Sequence, residues 1–302
     1  MIRIVEVGPR DGLQNEAKAI PTEVKLTFIH ALAACGLREI EATSFVSPKW
    51  VPQLADAEEL WPRLGTGALY SALVPNARGL ERALACGVRR IAVFTAASEA
   101  FTQANIRMSI DESLAVFAEV VEGFRAASGG EGFVRGYIST AFECPYSGRV
   151  EASAVMQVAR RLLELGVDEI SVGDTIGVAG PSEVRELGKA LLLEIPAAKV
   201  AWHFHDTNGT AIANVAEALR HGFSSFDSSA GGLGGCPYAP GAGGNLATED
   251  LVYFLHREGL PTGVDLDRLA LASRPISAIL GRLAQPKSAA AALSRLDASH
   301  SK

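Results

Sequence analysis

Ala34-Cys35-Gly36-Leu37-Arg38-Glu39-Ile40 returns as Ala85-Cys86-Gly87-Val88-Arg89-Arg90-Ile91 and as Glu164-Leu165-Gly166-Val167-Asp168-Glu169-Ile170. A looser copy is Arg220-His221-Gly222-Phe223-Ser224-Ser225-Phe226. Each time a helical stretch ends at glycine, an apolar residue follows, and an apolar run begins two or three residues on. The glycine suits the left-handed position after a helix's last turn, which a β-carbon disfavours. The apolar residue after it can pack back on that turn. This is a helix-to-strand joint, repeated.

Working outward from the joints gives strands near 2–7, 39–43, 68–74, 90–95, 133–139, 169–173, 199–205 and 225–230. Helical stretches lie between them, at 22–34, 76–86, 109–127, 151–165, 181–194 and 211–221. Strands apolar throughout, alternating with helices, imply a parallel sheet covered on both faces. Eight such units make a TIM (β/α)8 barrel, the expected fold of this α/β chain. A doubly wound sheet that bound a dinucleotide would carry Gly-x-Gly-x-x-Gly after its first strand, and Gly8-Pro9-Arg10-Asp11-Gly12 is not that. Helices at 246–257 and 266–283 should pack on the barrel, giving one domain over 1–285, with an alanine-rich, flexible or loosely docked tail over 286–302.

Composition narrows the function. A net charge of −6 without a dense Lys/Arg run argues against nucleic-acid binding. No apolar run approaches the roughly 20 residues of a membrane helix. The first strand starts at Ile2, with no signal or transit segment before it, and the four cysteines follow neither a zinc nor a disulfide pattern. A cytoplasmic protein is expected.

In a barrel, functional groups stand just after the strands. The first strand breaks at Gly8-Pro9 and presents Arg10-Asp11. Asp11 could ligate a hard cation and Arg10 could face an oxyanion, although a loop-capping ion pair is the alternative. The seventh strand ends Trp202-His203-Phe204-His205. With a period of two, both imidazoles point to one side, roughly 7 Å apart along the strand, and can share a metal. After the eighth strand, Ser229 to Asn245 holds seven glycines interrupted by Cys236-Pro237-Tyr238. Such a segment suits a lid that carries a thiol. Asn245 at its far end can offer a carbonyl to a cation.

Together with Glu41-Ala42-Thr43-Ser44-Phe45-Val46-Ser47-Pro48-Lys49-Trp50, Gly173-Asp174-Thr175-Ile176-Gly177 and Gly244-Asn245-Leu246-Ala247-Thr248-Glu249-Asp250, these stretches resemble the 3-hydroxy-3-methylglutaryl-CoA lyases. Those enzymes belong to a superfamily of metal-dependent barrel lyases. The resemblance runs from residue 2 to about 270. It implies a reverse Claisen cleavage of an acyl-CoA to acetyl-CoA and acetoacetate. By that resemblance Asp11, His203, His205 and Asn245 hold a divalent cation, Mg2+ or Mn2+ before Zn2+ given the oxygen and nitrogen donors. Arg10 is then the partner of the enolate, Cys236 its proton donor, Asp174 the carboxylate that helps remove the hydroxyl proton, and Glu41 the residue that orients Arg10 and Asp11. His203 counts as catalytic as well as ligating. Gln14, Ser44, Asn105 and Tyr137 match stretches near the family's site and could equally be structural hydrogen-bonders. A homodimer is implied as well.

Three departures stand out: Ala17 occupies a place where the family often has lysine, Asn208 one where animal members have tyrosine, and no cysteine lies near the C-terminus. Cys35 and Cys86 precede the joint glycines and read as packing residues, and Cys144 as loop structure. A lyase for a bulkier 3-alkyl substrate, an oxo-acid aldolase or a condensing enzyme on the same barrel are the competing readings. A barrel that only binds acyl-CoA is disfavoured by the full set of reactive groups.

Overall fold

The computed structural model describes residues 2–234, 244–282 and 286–300. Eight parallel strands close in the order β1-β8-β7-β6-β5-β4-β3-β2. They are β1 (Arg3–Glu6), β2 (Glu39–Ser44), β3 (Leu69–Leu73), β4 (Arg90–Ala96), β5 (Phe133–Ser139), β6 (Glu169–Asp174), β7 (Val200–Phe204) and β8 (Ser225–Ser228). The chain is a TIM barrel, as the joints imply.

The joints form as their residues dictate. Gly36, Gly87, Gly166 and Gly222 all take positive φ, between 76° and 98°. At three of them the N–H of the following apolar residue returns to the helix: Val88 to Ala83, Val167 to Leu162 and Phe223 to Ala218. That bond closes the helix end, and the apolar side chain is buried against it. The helices so ended are α1 (Thr22–Ala34), α3 (Ala77–Ala85), α6 (Ala152–Glu164) and α8 (Ala211–Arg220). Between the first two stands a single short turn, α2 (Ala57–Leu60).

An unforeseen helix, α4 (Glu99–Ile106), follows β4, started by the Ser98 hydroxyl on the Phe101 N–H. It precedes α5 (Ile110–Ser128), which opens on a reciprocal Ser109–Glu112 cap. A two-stranded ribbon, Glu143–Cys144 with Gly148–Arg149, follows β5, and α7 (Pro181–Leu192) follows β6. After β8 come α9 (Thr248–Arg257), α10 (Leu266–Ile279) and α11 (Lys287–His300). The alanine-rich segment, expected to be flexible or a loosely docked helix, is helical over Lys287–His300, with Ala289 and Ala292 buried against Ala270 of α10. Among the described residues no helix is long and apolar enough to cross a membrane.

The strands are not apolar on both faces. Ile40, Ile91, Val134, Ile170, Val172, Trp202, Phe204 and Phe226 point outward into the core shared with the helices. Trp202 anchors it, stacked on Phe204 at 5.4 Å and edge-on to Phe223 at 5.3 Å. The barrel interior instead carries charge. Arg3 binds Glu39 and Glu169, Arg90 binds Glu39, and Arg135 lies 3.0 Å from Glu169 and 2.7 Å from Asp227. The strands' floor is a continuous chain of ion pairs running from Arg90 to Asp227, and the functional groups stand above it.

Candidate active site

After β1 the backbone makes a single π-helical turn, Gly8–Gly12. The N–H groups of Asp11 and Gly12 both return to the Val7 carbonyl, at 2.7 and 3.2 Å. The wide turn lifts Arg10 and Asp11 off the strand end together. Gly12 fits because a β-carbon there would lie 2.8 Å from both Leu233 Cβ and Ser229 Oγ. Glu6 ties the turn to its neighbours, accepting from Gly8 N–H (2.8 Å), Ala230 N–H (2.9 Å) and the Thr248 hydroxyl (2.6 Å).

Arg10 is buried. Its Nε donates to Glu41 Oε1, and its Nη1 lies 2.7 Å from Asp11 Oδ1. Glu41 takes the Tyr137 hydroxyl on its other oxygen at 2.9 Å. The Tyr137 ring lies between two guanidiniums, Arg10 and Arg135, each 5.3 Å from its centre. Glu41 therefore fixes Arg10 from below and Asp11 fixes it from the side. Arg10 presents a planar fork with no rotamer freedom left in its base.

Across the barrel mouth, the Nε2 atoms of His203 and His205 face each other at 3.2 Å. Asp11 Oδ2 is 4.0 Å from His203 Nε2, and single ligand atoms of the three residues lie within 4.8 Å of one another. Asn245 is delivered by an antiparallel bridge to His205, flanked by Asp206 N–H on Gly244 O and Leu246 N–H on Phe204 O. Its Nδ2 donates to Asp11 Oδ2 (2.8 Å) and to Leu233 O (3.1 Å), while Oδ1 is buried without a hydrogen-bond partner among the described residues. The His205 Nδ1 is also buried without one. Two ring nitrogens 3.2 Å apart match adjacent ligands on a small octahedral cation, about 3 Å for bonds of ~2.1 Å. The unpartnered Asn245 oxygen adds a neutral donor, which a half-turn of the amide brings to the Asp11 side. The residues fit a divalent cation.

The charge states agree. Burial alone would raise the Asp11 carboxyl, but Arg10, His203 and His205 outweigh it and hold it at about 2. Burial and the neighbouring His203 push His205 down to about 4. Burial works against charge on His203 as well, yet the hydrogen bond and charge of Asp227 raise it. Asp11 is thus an anion and His205 a neutral lone-pair donor across the neutral range.

The HMGL-like family model matches residues 1–276. A hydroxymethylglutaryl-CoA lyase from Pseudomonas mevalonii is 52% identical over 282 residues, 93% of each chain. The chain belongs to the HMGL-like family. A Pseudomonas aeruginosa relative named 3-hydroxy-3-isohexenylglutaryl-CoA/hydroxy-methylglutaryl-CoA lyase is 48% identical, covering 97% of this chain and 98% of its own. Among solved structures, an Acinetobacter baumannii HMG-CoA lyase in complex with coenzyme A and 3-methylmalate superposes with a TM-score of 0.89 at 38% identity. That match covers 95% of this chain and 93% of the other.

In this HMGL-like protein the other expected site residues fall into different places. Tyr137 is at the site, through Glu41. Ser44 is buried and occupied by its own loop, donating to Leu73 O (3.3 Å) and accepting from Val46 N–H (3.2 Å). Asn105 is exposed in the last turn of α4, and Gln14 is partly buried just past the π-helical turn. Cys236 lies outside the described residues. Asp174 is the last residue of β6. Glu169 and Ser171 point into the barrel, so Asp174 falls on the opposite alternation, in register with the outward Phe204. Its oxygens accept the N–H groups of Val178 (3.1 Å) and Ala179 (3.0 Å), which cap the loop after β6. Burial raises its carboxyl to about 6 despite those bonds.

Of the departures, Asn208 donates to Gly177 O at 2.8 Å and braces that same loop; Lys18, the residue after Ala17, reaches the Ile279 carbonyl at 2.7 Å. Cys35 donates to Ala31 O at 3.0 Å, and burial lifts its thiol to about 11. Cys144 is buried in the two-stranded ribbon. The sequence reading missed Asp227, Arg135, Ser171 and Glu6. The one hint in the sequence was a charged residue inside a strand, and Arg135 and Asp227 are both buried.

Proposed function

We propose that the protein cleaves 3-hydroxy-3-methylglutaryl-CoA to acetyl-CoA and acetoacetate. The observation that carries this is the convergence of Asp11, His203 and His205 beside a clamped Arg10, at the carboxyl ends of barrel strands. Asp11, His203 and His205, with Asn245, would hold a divalent cation, Mg2+ or Mn2+. When bound, the cation supplies Lewis acidity that makes the substrate's tertiary hydroxyl easier to deprotonate.

The residues of the chain then divide the work. As the hydroxyl proton leaves, its oxygen becomes the ketone of acetoacetate and the bond between the carbinol carbon and the thioester's α-carbon breaks. The electron pair passes to the thioester as an enolate. Arg10, always charged and already oriented by Glu41, meets that oxygen with its fork. Cys236 gives the α-carbon its proton, and acetyl-CoA results; this role comes from the resemblance. Asp174 falls on the outward alternation of β6, so for it to receive the hydroxyl proton the loop after β6 would have to move. The coenzyme A seen in the Acinetobacter baumannii structure supports an acyl-CoA substrate. A homodimer and a cytoplasmic location belong to the same proposal, checked by sedimentation and fractionation.

A bulkier 3-alkyl substituent is the second reading, favoured by the name of the Pseudomonas aeruginosa relative. The test is turnover of both acyl-CoAs with Mg2+ and with excess chelator. Chelator-sensitive cleavage of the methyl substrate is expected. Equal turnover in chelator would remove the proposal, and a large preference for the longer substrate would decide for the second reading.

A further inference from the structure

Asp227 lies in β8, beside His203 of β7 as its register partner, and is buried to 1% exposure. Its Oδ2 is 3.1 Å from His203 Nδ1 and accepts the Ser171 hydroxyl at 2.8 Å. Its Oδ1 faces Arg135 at 2.7 Å. A carboxylate in such a setting only accepts, so the hydrogen on the His203 ring must sit on Nδ1. The Nε2 atom is left with its lone pair, and it is Nε2 that points to His205 and Asp11. Arg135 is in turn paired with Glu169, which also binds Arg3. Asp227 is thus where the ion-pair floor of the barrel touches the site above it.

We propose that Asp227 is a positioning residue for the metal centre: by holding His203 Nδ1–H, it fixes the ring's tautomer and aim so that Nε2 is the ligating atom. Ser171 and Arg135 hold the carboxylate in turn, one on each oxygen. This rests on the functional reading above, since it needs a cation at Asp11, His203 and His205. Outer partners of ligating histidines typically contribute 10- to 100-fold in metal affinity.

The test uses the full chain stripped of metal by chelator. Mn2+ affinity is measured by titration, and the His203 tautomer by nitrogen-15 NMR of the metal-free protein. In the wild type, His203 is expected with hydrogen on Nδ1 and none on Nε2. Asp227→Asn is expected to weaken Mn2+ binding by about 10- to 100-fold and to give a mixture of His203 tautomers, with Asp11 and His205 untouched. Ser171→Ala keeps the carboxylate and its ion pair, and should retain the wild-type tautomer. Should Asp227→Asn fail to fold, the wild-type spectrum still decides: hydrogen on Nε2 with none on Nδ1 overturns the proposal. Wild-type Mn2+ affinity in a folded Asp227→Asn also overturns it. A wild type that binds no Mn2+ at all removes the functional reading itself and this inference with it.

Discussion

On the floor of the barrel Arg3, Arg90 and Arg135 meet Glu39, Glu169 and Asp227, three cations against three carboxylates. At its mouth a single cation, Arg10, stands against Asp11 and Glu41. The two layers use the same charged residue types, share β2 through Glu39 and Glu41, and differ in their balance. The floor balances its own charge. Among the described residues the mouth is one negative charge over and adds two facing imidazole nitrogens, plus an amide oxygen without a partner. Buried charge left uncompensated is costly, so an excess that persists marks a place for something brought from outside. Here that is a cation.

The largest effect should come from removing the excess. His203→Ala and Asp11→Ala are each expected to lose Mn2+ binding and to lower turnover by more than about a thousandfold, since Lewis acidity is worth several kcal/mol. The fold should survive, because the floor is untouched. Titration with Mn2+ and a circular-dichroism melt read the two halves separately. A His203→Ala protein that binds Mn2+ normally would erase the distinction between the layers.

Next comes the one cation at the mouth. Arg10→Lys keeps the charge and loses the planar fork that Glu41 and Asp11 both hold. Turnover should fall about a hundredfold, with a much smaller change in KM, because the lost contact forms with the developing enolate. A change confined to KM would make Arg10 a clamp for the substrate's ground state.

In the floor the pattern should reverse. Glu169→Gln removes a partner from both Arg3 and Arg135, leaving buried guanidinium charge unmatched. A loss on the order of 3 kcal/mol of stability is expected. Activity per folded molecule should change little as long as Asp227 stays in place. Denaturant melts and active-site-normalised rates separate the two. A stable Glu169→Gln enzyme with depressed turnover would mean that the floor takes part in the chemistry.

How far the sequence shows this follows from the range of each signal. The joints were legible because a helix end is local: glycine, then an apolar residue, then a strand. His203 and His205 were legible because one strand's period puts them on one side. Asp227 was not, because its meaning depends on β7 being the neighbour of β8, and on Arg135 arriving from β5. Asp174 was placed by motif, although the alternation set by Glu169 and Ser171 turns it to the other side. Asn105 matched a family stretch and stands in solvent. Motifs brought the right segments to the barrel mouth; which atoms face inward required the register.

The smallest expected effect concerns a third arrangement, carboxylates paired with no cation among the described residues. Glu6 and Glu249 are fully buried between β1, the loop after β8, and helices α9 and α10. Their partners are neutral donors: Gly8, Ala230 and Thr248 for Glu6, Gly231 and Ser273 for Glu249. Burial outweighs those bonds and raises each carboxyl to about 7. The folded protein then holds protons that the unfolded chain has released between about pH 4.5 and 7. Because the folded state binds more protons there, unfolding free energy falls as pH rises through that window. One group contributes about 1 kcal/mol per pH unit near its midpoint. Glu249→Gln keeps an acceptor for Gly231 and Ser273 and removes the titration. Its stability, measured by denaturant at pH 5, 6, 7 and 8, should fall less steeply than that of the wild type by about that slope. Parallel curves would mean that Glu249 keeps its charge in the fold, and that neutral donors alone can hold a buried carboxylate where the floor uses arginine.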